Sequence, residues 1–178
     1  MILKDKFLLK RLVFIIAFLL ISGTFLNSCK MSYSFTGANL SPAIKTYSVY
    51  YFPNRARLVS PTLSQVFTED LREKLQRQTS LNELSENGDI EFEGQIIGYD
   101  TRPMSIQKED LSAQTRLTIT VKVKYTNNKE PSESFERNFS AFDDFDSSLS
   151  ISDVEDELNF DIIRKLNEDI FNATIANW

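Results

Sequence analysis

Apolar and polar residues alternate without a break over "RLTITVKVKYT". Leu117, Ile119, Val121, Val123 and Tyr125 fall on one side; Thr118, Thr120, Lys122 and Lys124 fall on the other. Period two over this length predicts a β-strand with one dry and one wet face. Asn127-Asn128 then turns the chain into a hairpin with Ser132–Ala141, where Phe135, Phe139 and Ala141 share a face. Upstream, Ile90–Thr101 alternates through Ile90, Phe92, Gly94 and Ile96. It then slips in phase so that Ile97 and Tyr99 become the apolar positions, and the flanking Gly94 and Gly98 point to a β-bulge. Pro103 predicts the end of that strand, and Met104–Ser112 a charged loop. Ile44–Phe52, "IKTYSVYYF", reads as a further strand stopped by Pro53-Asn54, with a loop over Arg55–Ser60. Leu81–Ser85 is a short candidate strand before the Asn87-Gly88 turn.

Two stretches follow the helical period instead. Leu63, Val66, Phe67, Leu71 and Leu75 form one stripe, with Ser60 as the expected N-cap, Pro61 at the first helical position and fraying over Gln76–Ser80. Val154, Leu158, Ile162, Leu166 and Ile170 form another, widened by Ile163, Phe171 and Ala173. Ser152 and Glu155 have capping-box spacing, and Asp153, Asp156, Glu157 and Asp161 sit in the early turns, where the helix dipole favours acids. Neither stripe can stay in water, so the expected fold is α+β: about four strands in a mixed sheet, with two helices packed on one face, in the order β-α-β-β-β-α. If the first two strands are parallel, their crossover is right-handed. Residues 44–178 make a single domain with no internal repeat.

The first 28 residues have another character. Lys4, Lys6, Lys10 and Arg11 precede ten unbroken apolar residues, Leu12–Ile21, and then Ser22, Gly23 and Thr24. This is the layout of a secretory signal; a spanning helix needs roughly 20 apolar residues. Residues 1–28 are therefore read as a lipoprotein signal peptide. Leu26-Asn27-Ser28-Cys29 resembles a lipobox, whose cysteine is alkylated by a diacylglyceryl group and becomes the acylated N-terminus. Cys29 is the only cysteine in 178 residues. An unpaired thiol in an exported chain is unusual in an oxidising compartment, which favours lipidation over a free buried thiol. At about 0.8 kcal/mol per buried methylene, several acyl chains hold a protein firmly. Residues 29–43 form the acylated start and tether. Lys30-Met31-Ser32 lacks an acidic tract resembling a surface-export signal, so the expected position faces the periplasm.

Charge narrows the function classes. Of 20 Lys and Arg and 25 Asp and Glu, four bases and one acid lie in residues 1–28; the remaining 150 residues hold 16 against 24, a net of −8. No basic stripe suits nucleic acid. The chain has no histidine, so Ser-His-Asp and Cys-His catalysis, histidine metal sites and imidazole proton transfer are excluded. Carboxylates remain: Glu91 and Glu93 share a strand face, either as a catalytic pair or as a wet surface, and the second reading is preferred. Asp143, Asp144 and Asp146 in "FDDFDSS" lack the glycine and distal glutamate of a calcium loop and are expected to solvate a loop before the last helix. No cofactor and no metal are expected, beyond the acyl groups on Cys29. Arg55 and Arg57, Arg102 and Lys108, and Arg116, Lys122 and Lys124 are the basic groups available to an anionic headgroup. A plain solvated strand face is the competing reading for the last three.

Taken together, "SCKMSYSFTGA", "YFPNRARLVSPTLSQVFTEDLREKL", "RLTITVKVKYTNNK", "FSAFDDFDSS" and "IFNATIANW" make the chain similar to LptE-family lipopolysaccharide-assembly lipoproteins of the Bacteroidetes type. The resemblance implies a non-enzymatic α/β lipoprotein on the inner leaflet of the outer membrane. Such a protein plugs the lumen of the β-barrel partner LptD, helps that barrel assemble, and binds lipopolysaccharide on its way to the outer leaflet. It implies lipopolysaccharide contacts from the loop between the second and third strands, where Arg102 and Lys108 lie, and from the start of the last helix. Here that second region, "DSSLSISDVEDE", has no base. Tyr33 and Phe35, with Arg55 and Arg57, are the candidate partner contacts. A barrel-independent lipid or glycolipid carrier is the alternative, and a hydrolase a third.

Overall fold

In the computed structural model, which describes residues 40–57, 60–104 and 113–176, the uninterrupted alternation becomes the middle of an antiparallel meander. The elements in chain order are β1 (Thr46–Val49), α1 (Leu63–Gln78), β2 (Asn82–Glu83), β3 (Ile90–Met104), β4 (Gln114–Asn127), β5 (Phe135–Asp146) and α2 (Ile151–Phe171). A 3₁₀ turn, Pro131–Glu133, joins β4 to β5, and a π turn, Asn172–Ala176, follows α2. The sheet order is β2-β1-β3-β4-β5, with β1 parallel to both its neighbours and the other pairs antiparallel. The α+β class and mixed sheet are those expected; the two-residue β2 is the short candidate strand and makes the count five.

Leu117, Ile119, Val121 and Val123 are fully buried, and Tyr125 nearly so. Both helices cover this face. α1 buries Leu63, Phe67, Leu71 and Leu75, and α2 buries Leu158, Ile162, Ile163, Leu166, Ile170 and Phe171. Complete burial of each such side chain stabilises by about 1.5–3 kcal/mol. Between the helices, the buried Asn167 Nδ2 donates to the Phe67 carbonyl at 3.3 Å and to Asp70 Oδ2 at 2.8 Å. Val66, expected on the apolar stripe, is instead 37 % exposed, and Ser64 and Thr68 are buried in its place. Thr68 is accommodated because its hydroxyl donates to the Ser64 carbonyl and accepts from the Phe52 N–H.

Several boundaries differ from the sequence expectation for identifiable reasons. β3 does not stop at Pro103 but runs to Met104, with Pro103 opposite Thr115. The β1 pairing and the Asn54–Ile96 bridge end well before that point, so among the described residues β3 is an edge there and no strand needs a donor from Pro103. β5 likewise continues through Asp146, which places Asp143, Asp144 and Asp146 on a strand and not in a loop. α1 starts at Leu63 with Thr62 at its N-cap, and the Ser60 hydroxyl accepts from Asn159 Nδ2 of α2 at 3.3 Å. The Ser152–Glu155 capping box is not formed. Ser150 holds the N-cap position, and Glu155 Oε1 accepts from the Tyr99 hydroxyl at 2.8 Å. Burial first, and the Glu155 carboxylate second, push the Tyr99 hydroxyl well above the usual phenol range.

The bulge falls where the phase slip predicts: Ile96 pairs with Val121 and Gly98 with Thr120, leaving Ile97 as the extra residue. The two flanking glycines are not equivalent. A Cβ on Gly94 would lie 2.1 Å from the Lys122 carbonyl oxygen and 2.5 Å from the Phe52 ring; one on Gly98 would approach Thr120 Cβ at 3.1 Å. At the head of β3, Asp89 fastens three strands. Its carboxylate accepts from the Lys45 and Thr46 N–H groups at 2.8 and 3.0 Å, its own N–H donates to the Thr46 hydroxyl, and its carbonyl accepts from Asn128. The Lys45 N–H, then the Lys129 ammonium, hold its carboxyl far below the usual range.

Gly94→Ala should therefore destabilise by about 3 kcal/mol or more, and Gly98→Ala should stay within about 1 kcal/mol of the parent, both read from urea unfolding. Equal effects would contradict the close approach at Gly94. A depressed carboxyl gives stabilisation that is whole above the ordinary aspartate range near pH 4 and drains as pH falls through and below it. Unfolding between pH 7 and pH 3 should thus show a steeper acid loss for the parent than for Asp89→Asn. Parallel curves would refute that role for Asp89.

Candidate functional site

The face of the sheet turned away from the helices carries the polar half of each alternation, and register sets it out in rows. Across β3, β4 and β5 these read Glu93–Lys124–Glu136, Gln95–Lys122–Asn138, Gly98–Thr120–Ser140, Asp100–Thr118–Phe142 and Arg102–Arg116–Asp144. Lys124 Nζ lies 2.7 Å from Glu93 Oε2, and Lys122 is ion-paired with Glu136. The hydrogen bond to Glu93 raises the Lys124 ammonium, and the one from Lys122 lowers the Glu136 carboxyl. Thr120 and Ser140 share a hydroxyl contact at 2.5 Å. These pairs are about half exposed, so solvent screens them and each adds little to stability. Their larger effect is on the surface itself: positive and negative charges cancel from strand to strand.

At the far end of the face, Arg116 Nε and Nη2 donate to the two Asp144 oxygens at 2.7 and 2.8 Å in a bidentate pair. The same guanidinium sits 3.6 Å from the ring centroid of Phe142, a side chain that remains 46 % exposed. Arg116 holds the Asp144 carboxyl below its usual range. Arg102 is directly opposite Arg116, exposed, and without an ion pair among the described residues. This end also brings together two distant parts of the chain. The Ser147 N–H donates to the Ala113 carbonyl at 2.9 Å, and the Thr115 and Ser147 hydroxyls meet at 2.8 Å. The turn before α2 therefore lies beside the start of β4. The acids there are engaged: Asp143 Oδ2 by Lys165 Nζ at 2.9 Å, and Asp146 Oδ1 by the Ser148 N–H at 2.8 Å. Among the described residues no three His, Cys, Asp or Glu side chains are grouped to hold a metal ion.

Of the residues singled out from sequence, Lys122 and Lys124 do share the polar face, each against a carboxylate, and Arg116 joins them farther along. Arg55 and Arg57 are exposed on the segment after β1, where the Arg55 N–H donates to the Ile96 carbonyl at 2.8 Å beside the bulge. Cys29, Tyr33, Phe35 and Lys108, and with them the signal segment, lie outside the described residues. Glu91 accepts from the Tyr50 hydroxyl at 3.0 Å and from Asn128 Nδ2 at 2.7 Å, so Glu91 and Glu93 are each held by separate partners. The exposed Phe142 and the Tyr99–Glu155 contact were not foreseen. Period two does place Phe142 on the polar face, which is the signal that would have found it.

The α+β arrangement recurs in a solved structure. The hypothetical protein CT253 from Chlamydia trachomatis is 9% identical, covering 74% of this chain and 98% of that one with a TM-score of 0.51, which shows a shared fold. A minor lipoprotein from Acinetobacter baumannii is 14% identical over 71% of this chain and 89% of that one, at a TM-score of 0.45. PelC from Paraburkholderia phytofirmans is 8% identical over 78% and 95%, at 0.46. No curated protein matches the sequence. The LptE family model, described as lipopolysaccharide-assembly, matches residues 44–174, from two residues ahead of β1 into the π turn after α2. The chain belongs to the LptE lipopolysaccharide-assembly family.

Proposed function

We propose that the mature chain is an outer-membrane lipoprotein, tethered through acylated Cys29, that plugs the lumen of an LptD-like β-barrel, helps that barrel assemble and assists lipopolysaccharide transport to the outer leaflet. The observation that carries this reading is the cross-strand neutralised face of β3, β4 and β5. Barrel lumens of this kind are polar. A face whose charges are already paired loses less on leaving bulk water than one of isolated charges, which cost several kcal/mol each when desolvated. The same pairing sets the order of roles. A lipopolysaccharide phosphate would have to displace Glu136, Glu93 or Asp144 to reach Lys122, Lys124 or Arg116, whereas Arg102 has no ion pair among the described residues. Plugging is therefore the primary role, and headgroup contact belongs to Arg102 with Lys108. The carrier reading gets less support, because a carrier needs apolar walls for acyl chains and the groove between α1 and α2 is lined by charged residues and one glutamine.

Isolation of the native lipoprotein in mild detergent should bring down one large barrel in stoichiometric amount, and depletion should lower lipopolysaccharide at the cell surface. No barrel, together with normal surface display, would move the assignment to a carrier. Cys29→Ser should shift the protein from the membrane to the soluble fraction; unchanged membrane association would remove the acyl tether from the account.

A further inference from the structure

β5 is an edge strand, with β4 on one side and no strand of the described residues on the other. In an antiparallel pair, the main-chain N–H and C=O of successive residues point alternately toward the partner and away from it. Odd-numbered residues face inward here. The Asn127 N–H reaches the Ser134 hydroxyl on the β5 side, Ser147 N–H bonds the Ala113 carbonyl in step with the β4–β5 register, and the Asn128 N–H turns to β3. Even-numbered residues of β5 thus aim their main-chain groups at the open edge.

Half of that edge is already covered. The Phe142 carbonyl accepts from Lys165 Nζ at 3.2 Å, the Asp144 N–H donates to Asp143 Oδ1 at 3.0 Å, and the Asp146 carbonyl accepts from the Leu149 N–H at 3.0 Å. Glu136, Asn138 and Ser140 have no such cover among the described residues. Beside them runs an open groove of about 420 Å³ between β5 and the end of α2, lined by Arg137, Asn138, Phe139, Asp169, Asn172 and Ala173. The Arg137 guanidinium lies over the Phe135 and Phe139 rings at 4.8 and 4.4 Å, with no carboxylate in ion-pair range among the described residues.

We propose that an extended segment of the barrel partner adds to β5 along Glu136–Ser140 as a further strand, with a carboxylate side chain meeting Arg137. Strand addition satisfies the bare N–H and C=O groups by main chain alone, and alternate side chains give the fit. This rests on the barrel reading above, which also limits the source: wall strands of a closed barrel have no free edge, so the segment is a luminal loop or a terminal stretch of the partner. A second copy fits less well. In the antiparallel register that sets Glu136–Ser140 fully against itself, Arg137 faces Phe139 and not a carboxylate.

Residue-resolved hydrogen exchange on the acylated lipoprotein in mild detergent, alone and within the co-purified barrel complex, tests this. The Arg137, Phe139 and Ala141 amides, bonded to β4, should be slow in both. The Glu136, Asn138 and Ser140 amides should be fast alone and slowed by about tenfold or more in the complex. Even-numbered amides that stay fast in a complex containing the barrel would overturn strand addition and leave the plug reading intact. Even-numbered amides that slow in the lipoprotein alone as its concentration rises would assign the edge to a second copy and overturn the proposal. Absence of any barrel removes both readings together.

Discussion

The dry face of β4 is the constraint on which everything else in this molecule depends. Leu117, Ile119, Val121 and Val123 are completely buried, and a slip of one residue in register would exchange them for Thr118, Thr120, Lys122 and Lys124. That difference fixes the pairing with β3 and β5. It also requires a cover, which α1 and α2 supply with matching apolar stripes. The bulge at Ile97 is part of the same constraint: it restores Tyr99 to the dry side after the phase slip and keeps the far half of β3 in step with β4.

The wet face follows from the dry one. Because the register is fixed, so are the rows that cross it, and each exposed lysine of β4 finds a glutamate one strand away. A chain with an acidic excess therefore presents a nearly neutral polar surface on this side. Such a surface is poorly suited to gripping a free polyanion and well suited to lying against another polar wall. The exception is the far end, where Phe142 stays exposed under the Arg116 guanidinium and Arg102 stands without an acid among the described residues. The proposed division of labour, between a scaffold surface and a narrow headgroup contact, rests on this distribution of charge.

What was legible in the sequence was whatever a single period could encode. Alternation placed β4 and the bulge, and three- and four-residue spacing placed both helical stripes. What was not legible depended on partners far along the chain. Pro103 reads locally as a stop, but among the described residues β3 is an edge at that point and tolerates it. Ser60 and Glu155 have the local chemistry of helix caps, yet each is drawn to a tertiary partner, Asn159 and Tyr99. Val66 has the right spacing but the wrong angle once α2 has taken its place. Lys122 and Lys124 share a face as the alternation implies, while their neutralisation needs Glu136 and Glu93, whose positions only register determines. The lipidation proposed at Cys29 rests on the sequence alone, since residues 1–39 lie outside those described.

The central claim is that the polar face of β3, β4 and β5 lies against the wall of a barrel. A photoreactive residue at Thr120, in the middle of that face, tests it most directly in the native host. The account predicts an adduct of the lipoprotein with a large outer-membrane barrel. Adducts with a barrel from Glu73 on the solvent side of α1, and none from Thr120, would contradict it.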